Sequence, residues 1–233
     1  MESQPRIPSV DQWISHLTHL TRDIALQIPL SSDAQTKFEY IESFADEYGG
    51  KRTTDQALLS RVLSTPYKPS ARLSATVAVD VDHKLWNAVH DDSPWEYLIP
   101  DQGGLVNEGD YAIEHRTLIE LCSLHALSHL VDAKNGSAFD GLSQRVHRLV
   151  DWHTRELQPD NGIHRPWGMH AFVLRSVDES CAMDMRLNTM LHAQTLLSNC
   201  CVSMGKPDLL SGIILIDSLN TLTERIADDR SVS

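Results

Sequence analysis

Residues 108 to 132, EGDYAIEHRTLIELCSLHALSHLVD, carry the strongest helical pattern in this chain. Apolar residues recur there every three or four positions, which is the spacing of one face of an α-helix. A second face at the same spacing mixes aromatic, imidazole, thiol and apolar groups: Tyr111, His115, Leu118, Cys122, His125 and His129. The segment therefore predicts a long helix with two distinct faces.

The chain on either side repeats this helical rhythm with short turns between the helices. Capping residues, glycine stops and prolines bound further predicted helices at about 11–27, 37–48, 55–63, 142–157, 179–204 and 208–227, with another after Pro166. The last of these contains SGIILIDSLN, which is apolar nearly all round and is predicted to lie at the centre.

Residues 70–90 allow two interpretations. Valines and alanines alternate with polar residues over 75–82 as in a strand, whereas Leu85, Trp86 and Val89 have helical spacing. One helix is favoured, because a lone strand would have no partner. The prediction is therefore an all-α fold of about eight or nine helices packed as antiparallel hairpins, in an orthogonal bundle or a partial ring.

Length and composition predict one helical domain over residues 1–233, with the 91–107 loop as the candidate seam. The net charge of −12 argues against nucleic acid or an anionic membrane as the partner. The sequence has no apolar run of membrane-spanning length and no signal peptide at its start, so a cytoplasmic protein is expected. Four cysteines without a C-x-x-C pair predict reduced thiols.

The candidate functional stretch is His147 to His170, HRLVDWHTRELQPDNGIHRPWGMH. His153 falls on the apolar face of the helix that ends near Leu157. Because a second helix is predicted to begin at Pro166, His164 and Arg165 should stand at its N-terminus, where an anionic substrate group is favoured. The predicted roles are catalytic for three histidines (His153, His164, His170) and substrate-binding for three other residues (Arg165, Trp167, Trp152).

Two polar residues on predicted apolar faces extend this candidate site. Asp217 interrupts SGIILID, and a buried carboxyl would have a raised pKa and could act as an acid. Gln194 lies on the apolar face of the helix over 179–204 and is predicted to bind substrate. These residues indicate either a polar cavity or a filled core with a satisfied polar network, and both interpretations stay open.

Cys122, His125 and His129 have the spacing that can direct a thiolate and two imidazoles toward one zinc ion. The chain lacks an H-E-x-x-H motif and a second cluster at ligand spacing, so no metal and no other cofactor is predicted. The alternative is a helix interface with hydrogen-bonded histidines. A metal-dependent enzyme using these three residues is kept as a further hypothesis.

Residues 144 to 222 include PDNGIHRPWGMHAF, then LHAQTLLSN and GKPDLLSG, and this rhythm resembles successive hairpins of the α/α-toroid class. That class contains six-hairpin glycosidases, polysaccharide lyases and terpene cyclases. The resemblance implies helical hairpins with an aromatic and histidine-rich mouth. It transfers no catalytic residue, since the chain has room for about four hairpins and lacks the D-x-D-D motif of the cyclases.

These observations predict a cofactor-independent enzyme that uses histidine and carboxyl groups for acid–base work on a small organic or sugar-like substrate, as a lyase, isomerase or hydrolase. No P-loop, G-x-S-x-G or G-x-G-x-x-G motif supports another enzyme class. The rival hypothesis is a non-catalytic helical interaction module with Trp152 and Trp167 as contact anchors. A homo-oligomer is compatible with either.

Overall fold

The computed structural model describes residues 6–67, 80–91, 94–107, 109–133, 140–157, 163–201 and 205–232. These residues form nine α-helices, one short 3₁₀ turn at Glu96–Leu98 and no strand. The helices are α1 Val10–Ala25, α2 Ala34–Ser43, α3 Thr53–Val62, α4 Val81–His90, α5 Ile113–Ala133, α6 Asp140–Glu156, α7 Met169–Val177, α8 Met183–Cys200 and α9 Leu209–Val232. The predicted all-α class is confirmed.

Local sequence signals explain where several helices begin. Ser9 and Gln12 form a reciprocal capping box at the start of α1, and the Asp33 side chain accepts a hydrogen bond from the Thr36 backbone at the start of α2. The strand-like alternation over 75–79 lies outside the described residues, while the chain from Val81 onward is helical.

Two long helices organise the packing. Helix α5 contacts α4, α6 and α7, and α9 contacts α1, α3 and α7. The prediction that the last helix is central is confirmed over its first half, where the apolar residues from Leu210 to Ile216 are buried. Gly212 permits the close approach of α1, since a Cβ there would lie 2.6 Å from Cγ1 of Ile24.

One apolar core joins residues from α1 to α9. The 91–107 loop is tied to this core through hydrogen bonds to α5 and α6. Within the described ranges, no helix combines the length and the apolar character that a membrane span requires. The partial-ring arrangement of the hairpins stays a prediction.

Candidate functional site

The carboxylate of Asp217 lies at the centre of a buried polar cluster. Its Oδ2 atom accepts hydrogen bonds from Nε2 of His125 at 2.8 Å and from Nε2 of His129 at 2.6 Å. Its Oδ1 atom accepts from Nε of Arg61 at 3.1 Å. Helix α5 supplies both imidazoles one turn apart, α3 supplies the arginine and α9 supplies the carboxylate. We call Asp217, His125, His129 and His170 the Asp217 centre.

The backbone of Gly168 fixes the protonation of His125. Its N–H donates to Nδ1 of His125 at 3.1 Å, so this ring nitrogen must carry a lone pair. The proton of the neutral imidazole is therefore on Nε2, from which it is donated to Asp217. Gly168 has φ of 70°, and a Cβ there would lie 3.3 Å from the backbone oxygen of Leu121, so glycine suits this turn.

His129 and His170 each keep a ring nitrogen without a partner. Within the described part of the chain, neither Nδ1 of His129 nor Nε2 of His170 has a hydrogen-bond partner, although both rings are fully buried. The two rings stack with centroids 5.2 Å apart and an interplanar angle of 17°. The other nitrogen of His170 lies 3.4 Å from Oγ of Ser218. Two stacked imidazoles thus each keep one buried ring nitrogen without a partner.

Two tryptophans wall off this cluster. Trp86 lies 5.6 Å from His125 and 5.8 Å from His129 between ring centroids, and Trp167 lies 5.3 Å from His125. The indole nitrogen of Trp86 donates to Sγ of Cys122 at 3.3 Å. The aromatic rings replace solvent on this side of the cluster, which strengthens the electrostatic interactions next to them.

Burial sets the charge of these groups. It lowers the pKa of His125 to about 4 and lowers the pKa of His129, in both cases against the opposing effect of Asp217. The pKa of His170 is well below its ordinary value because of burial and the neighbouring imidazoles. Burial alone would raise the pKa of Asp217, but attraction and hydrogen bonding by His129 and His125 hold it well below the usual range. The cluster therefore combines neutral imidazoles with an ionised carboxylate.

A small cavity reaches His170 from the surface between α5, α6, α7 and α9. Its volume is about 50 Å³, and its wall includes Ser128, His147, Arg175 and Arg225. A space of this size holds a few water molecules. Of the four residues of the Asp217 centre, His170 is the one on the wall of this cavity.

Glu120 forms a second buried carboxylate centre on α5. Its oxygens accept hydrogen bonds from the backbone N–H groups of Leu105 at 2.9 Å and Val106 at 2.8 Å, and from Nε2 of His153 at 3.1 Å. Burial by itself raises the pKa of Glu120, but the hydrogen bond and charge of His153 and the backbone donors lower it overall. We call Glu120 and its three donors the Glu120 centre.

The loop that Glu120 holds is also tied to α6. Arg145 donates to the backbone oxygens of Pro100 at 2.6 Å and Gly103 at 2.8 Å. Trp152 covers the loop so closely that a Cβ on Gly104 would lie 2.6 Å from its ring. The Glu120 centre therefore anchors a loop.

The structure divides the predicted site residues between several places. His170, Asp217 and Trp167 meet at the Asp217 centre, whereas His153 and Trp152 belong to the Glu120 centre. His164 is exposed and lines an open pocket with Glu47 and Arg165, and the other three predicted catalytic side chains do not line that pocket. The buried position of His153 agrees with its predicted place on an apolar face.

One prediction for the central stretch is wrong. His164 and Arg165 do not stand at a helix N-terminus, because α7 begins only at Met169, after the left-handed turn at Gly168. The guanidinium of Arg165 donates to the carboxylates of Asp208 at 2.5 Å and Glu47 at 2.6 Å.

Gln194 does not face the core. Its side chain is exposed on α8 and lines an open groove of about 520 Å³ with Arg6 and His16. The interpretation that it lies on an inward face is therefore wrong. Neighbouring Ala193 and Leu196 form the buried face of α8 instead.

Sequence reasoning missed Glu120 and Arg61 as site residues. A usable signal existed for Glu120, since a charged residue among Ile113, Leu121 and Leu124 on a helical face indicates a buried carboxylate. No local signal pointed to Arg61, because its partner Asp217 lies 156 positions away in the sequence.

Three imidazoles of the Asp217 centre form the one group in the described ranges that could hold a metal ion. Ligand atoms of His125, His129 and His170 all lie within 4.8 Å of one another. The thiol of Cys122 does not belong to this group, and burial raises its pKa well above the ordinary value. Gly168 opposes metal binding at His125, since metal on Nε2 would leave a proton on Nδ1 facing the Gly168 N–H.

Comparison of the chain with family models, curated proteins and solved structures finds no match. The chemistry of the site is therefore argued from its own geometry.

Proposed function

We propose that the chain is a cofactor-independent acid–base enzyme that acts on a small organic molecule at the Asp217 centre. The observation that supports this most strongly is the pair of hydrogen bonds from two imidazoles to one ionised carboxylate. A carboxylate only accepts, so Nε2 of His129 carries the proton and its Nδ1 keeps a lone pair in the neutral ring. A carboxylate that orients an imidazole in this way prepares it as a general base.

His129 is the proposed base of this reaction. When Nδ1 of His129 takes a proton from substrate, the imidazolium stays 2.6 Å from the Asp217 carboxylate, which stabilises the new charge. Nε2 of His170 is the second proton-transfer group, because its ring stacks on that of His129. A positioned acid or base of this kind contributes roughly 10²- to 10⁴-fold to a reaction rate.

A lyase, an isomerase or a hydrolase of the acid–base type can use such a proton transfer, to or from carbon, hydroxyl or water. The cavity beside His170 supports a small substrate, since about 50 Å³ admits only a few heavy atoms before the walls move. The sugar-like alternative requires a larger opening of this cavity.

Proton exchange tests the proposal without a known substrate. Protein in D₂O is mixed with dihydroxyacetone, pyruvate or acetoacetate, and exchange of the C–H protons is followed by ¹H NMR. Wild type should accelerate exchange in at least one compound, and Asp217→Asn and His129→Gln should each lose roughly 100-fold or more. His16→Gln, at an exposed position, is the matched control. Equal rates in wild type and Asp217→Asn would remove the proposal.

A metal-dependent enzyme is the second candidate, since three imidazoles approach within 4.8 Å. The hydrogen bond from the Gly168 N–H to Nδ1 of His125 argues against a metal site. Elemental analysis of protein purified without a His-tag separates the two. Stoichiometric zinc, manganese or iron that His170→Ala removes would replace the cofactor-independent proposal with the metal-dependent one.

The interaction-module hypothesis has less support. Trp167, one of its two anchors, is 0% exposed and packs against Trp86 and His125. An anchor must reach the surface of a partner, which leaves this hypothesis with Trp152 alone.

A further inference from the structure

Cys200 and Cys201 are adjacent in the sequence, and their sulfur atoms lie close together at the end of α8. The two Sγ atoms are 3.8 Å apart. Both cysteines are free; Cys200 is 5% exposed, whereas Cys201 is half-buried. Neither residue belongs to the Asp217 centre or to the Glu120 centre, so the proposed acid–base reaction makes no use of them.

The end of the helix allows this close approach. Consecutive side chains of a regular α-helix point about 100° apart, so neighbours in the sequence do not face each other. Cys200 is the last residue of α8, and Cys201 departs from helical geometry with φ of −106° and ψ of 12°. The backbone N–H of Cys201 donates to the backbone oxygen of Ser198 at 3.2 Å, which holds this conformation. The pair is therefore set by the backbone at a helix end.

The distance between the two sulfurs matches that of two thiolates on one tetrahedral ion. A zinc–thiolate bond of about 2.3 Å and a tetrahedral angle of about 109° place two sulfurs of one ion about 3.8 Å apart. The observed separation of the Cys200 and Cys201 sulfurs is 3.8 Å. Thiolate ligands also favour soft ions over hard ions such as Mg²⁺ and Ca²⁺. The pair can therefore hold a soft ion without moving its sulfurs.

A disulfide fits the same pair less well. A disulfide usually joins residues whose Cα atoms are about 4.4–6.8 Å apart, whereas Cα atoms joined by a trans peptide are about 3.8 Å apart. A disulfide would also draw the sulfurs of Cys200 and Cys201 from 3.8 Å to about 2 Å. An ion between the sulfurs keeps them at their present separation. Chelation is therefore the better use of this geometry.

Burial favours ions that bond strongly to sulfur. It raises the pKa of both thiols, and the neighbouring Cys201 raises the pKa of Cys200 further. Both groups are neutral at pH 7, so an ion must displace two protons to bind both sulfurs. The Cys200 thiol donates to the backbone oxygen of Leu197 at 3.1 Å. Cys201 is the more exposed of the two and is the sulfur that an ion from solvent reaches first.

We propose that Cys200 and Cys201 together bind one thiophilic metal or metalloid ion. Two S–H bonds break, two bonds from sulfur to the ion form and two protons leave, and no electron is transferred. The site is distinct from the three imidazoles of the Asp217 centre, which contain no sulfur ligand. It is also independent of the acid–base reaction proposed there.

Phenylarsine oxide is the first probe, because it forms two As–S bonds with a pair of thiols and releases one water. Reduced protein is treated, washed with mercaptoethanol to remove arsenic held by a single sulfur, and weighed by mass spectrometry. Wild type should gain one C₆H₅As unit in place of two hydrogens. Cys201→Ser and Cys200→Ala should each fail to retain it. A wild type without the adduct, or an unchanged adduct in Cys201→Ser, would overturn the inference.

Cys181→Ser is the matched control, since it removes a partly exposed thiol from the turn that follows α7. This variant should keep the full arsenic adduct. Loss of two hydrogens from wild type in air, in a form that Cys201→Ser does not make, would assign the pair to a disulfide and overturn the inference.

Cadmium is the second probe, followed by the ultraviolet absorption of the Cd²⁺–thiolate bond. Wild type should saturate this absorption at one Cd²⁺ per chain, and Cys201→Ser should bind roughly 100-fold more weakly or worse. His170→Phe should keep the wild-type titration, which separates the thiol site from the imidazoles of the Asp217 centre. A titration that is the same in Cys201→Ser as in wild type would contradict a site made of both sulfurs.

Discussion

Glu120 and Asp217 are both buried carboxylates that accept a hydrogen bond from histidine on a neighbouring element, yet their other partners differ in kind. The Glu120 carboxylate accepts hydrogen bonds from two backbone N–H groups of the 91–107 loop. Asp217 accepts only from side chains, namely two imidazoles and one guanidinium. The first arrangement anchors the chain, whereas the second organises reactive groups.

The surroundings of the histidines that bond these two carboxylates differ as well. His153 has an unpartnered Nδ1 as well, but its ring lies against Trp152 and Phe172. His129 lies 5.0 Å from His125 and 5.2 Å from His170 between ring centroids. The Asp217 centre thus brings three imidazoles together, one of which lines a cavity.

The largest loss of stability is expected on substitution of Glu120, which anchors the loop. Glu120→Ala leaves two backbone donors and one imidazole without an acceptor, which should lower the free energy of unfolding by about 3–5 kcal/mol. Chemical denaturation measures the loss, and amide exchange should accelerate at Leu105 and Val106. Glu114→Ala, at an exposed position on the same helix, is the control. A loss below about 1 kcal/mol would contradict the anchoring role.

Asp217→Asn should lower the free energy of unfolding by less than Glu120→Ala does, and it should lower the proposed activity. Asparagine keeps the shape and one acceptor oxygen for the imidazoles but turns an N–H₂ group toward Arg61, so we expect a loss of about 2 kcal/mol in unfolding free energy, since one hydrogen bond is lost and the others lose their charge assistance. Proton exchange activity should fall by roughly 100-fold or more. Denaturation and the D₂O assay on the same sample check both values. A variant that loses stability as severely as Glu120→Ala but keeps activity would reverse the two assignments.

The pH dependence of stability should follow the buried imidazoles. The pKa of His125 is about 4 in the folded state and about 6.5 when unfolded, so as the pH falls below 6.5 the unfolded chain takes up the proton first. Stability is therefore full above pH 6.5 and should fall by about 2 kcal/mol by pH 5 from this residue alone. His192, with a pKa of about 3, adds to the loss.

Asp55 has the opposite effect on stability as the pH falls. Its pKa of about 6 in the folded state lies above the ordinary value because of burial, so the folded state takes up a proton before the unfolded chain does. It should offset about 1 kcal/mol at pH 5. Denaturation curves at pH 7.5, 6 and 5 test the net fall, which should be steeper in Asp55→Asn. A flat profile in both proteins would contradict neutral, buried imidazoles.

The smallest stability effect is expected for His170→Phe. Phenylalanine keeps the stacked ring and removes an unpartnered buried nitrogen, so the free energy of unfolding should change by less than about 1 kcal/mol in either direction. Activity in the D₂O assay should still drop, because the second proton-transfer group is lost. His192→Phe, which removes a buried imidazole outside the Asp217 centre, is the matched control and should keep activity.

Local pattern predicted the helical class and most helix positions, because spacing and capping are properties of neighbouring residues. It also singled out Asp217, because a carboxylate inside the apolar run SGIILID is expected to be buried and to need a hydrogen-bonding partner. Local pattern could not predict which residues pair with Asp217. His125 and His129 are 92 and 88 positions from Asp217, and tertiary packing, including that of α5 on α7 and of α7 on α9, brings them together.

The errors have equally physical causes. Gln194 was assigned inward because α8 carries apolar residues on several sides, which blurs its buried face. Arg165 was placed at a helix start because Pro166 suits that position, but Gly168 adopts a left-handed conformation and delays the helix to Met169. Whether the hairpins form part of a ring stays a prediction.

The protonation state of His129 tests the central claim most directly. ¹⁵N NMR of histidine-labelled protein, with the signal assigned by its loss in His129→Gln, distinguishes a protonated from an unprotonated ring nitrogen. The account predicts a proton on Nε2 and a bare Nδ1 at pH 7, with Nδ1 becoming protonated only at a lower pH than in a free imidazole, because burial lowers the pKa of His129. A proton on Nδ1 at pH 7, or the signature of a metal bound to either nitrogen, would contradict it.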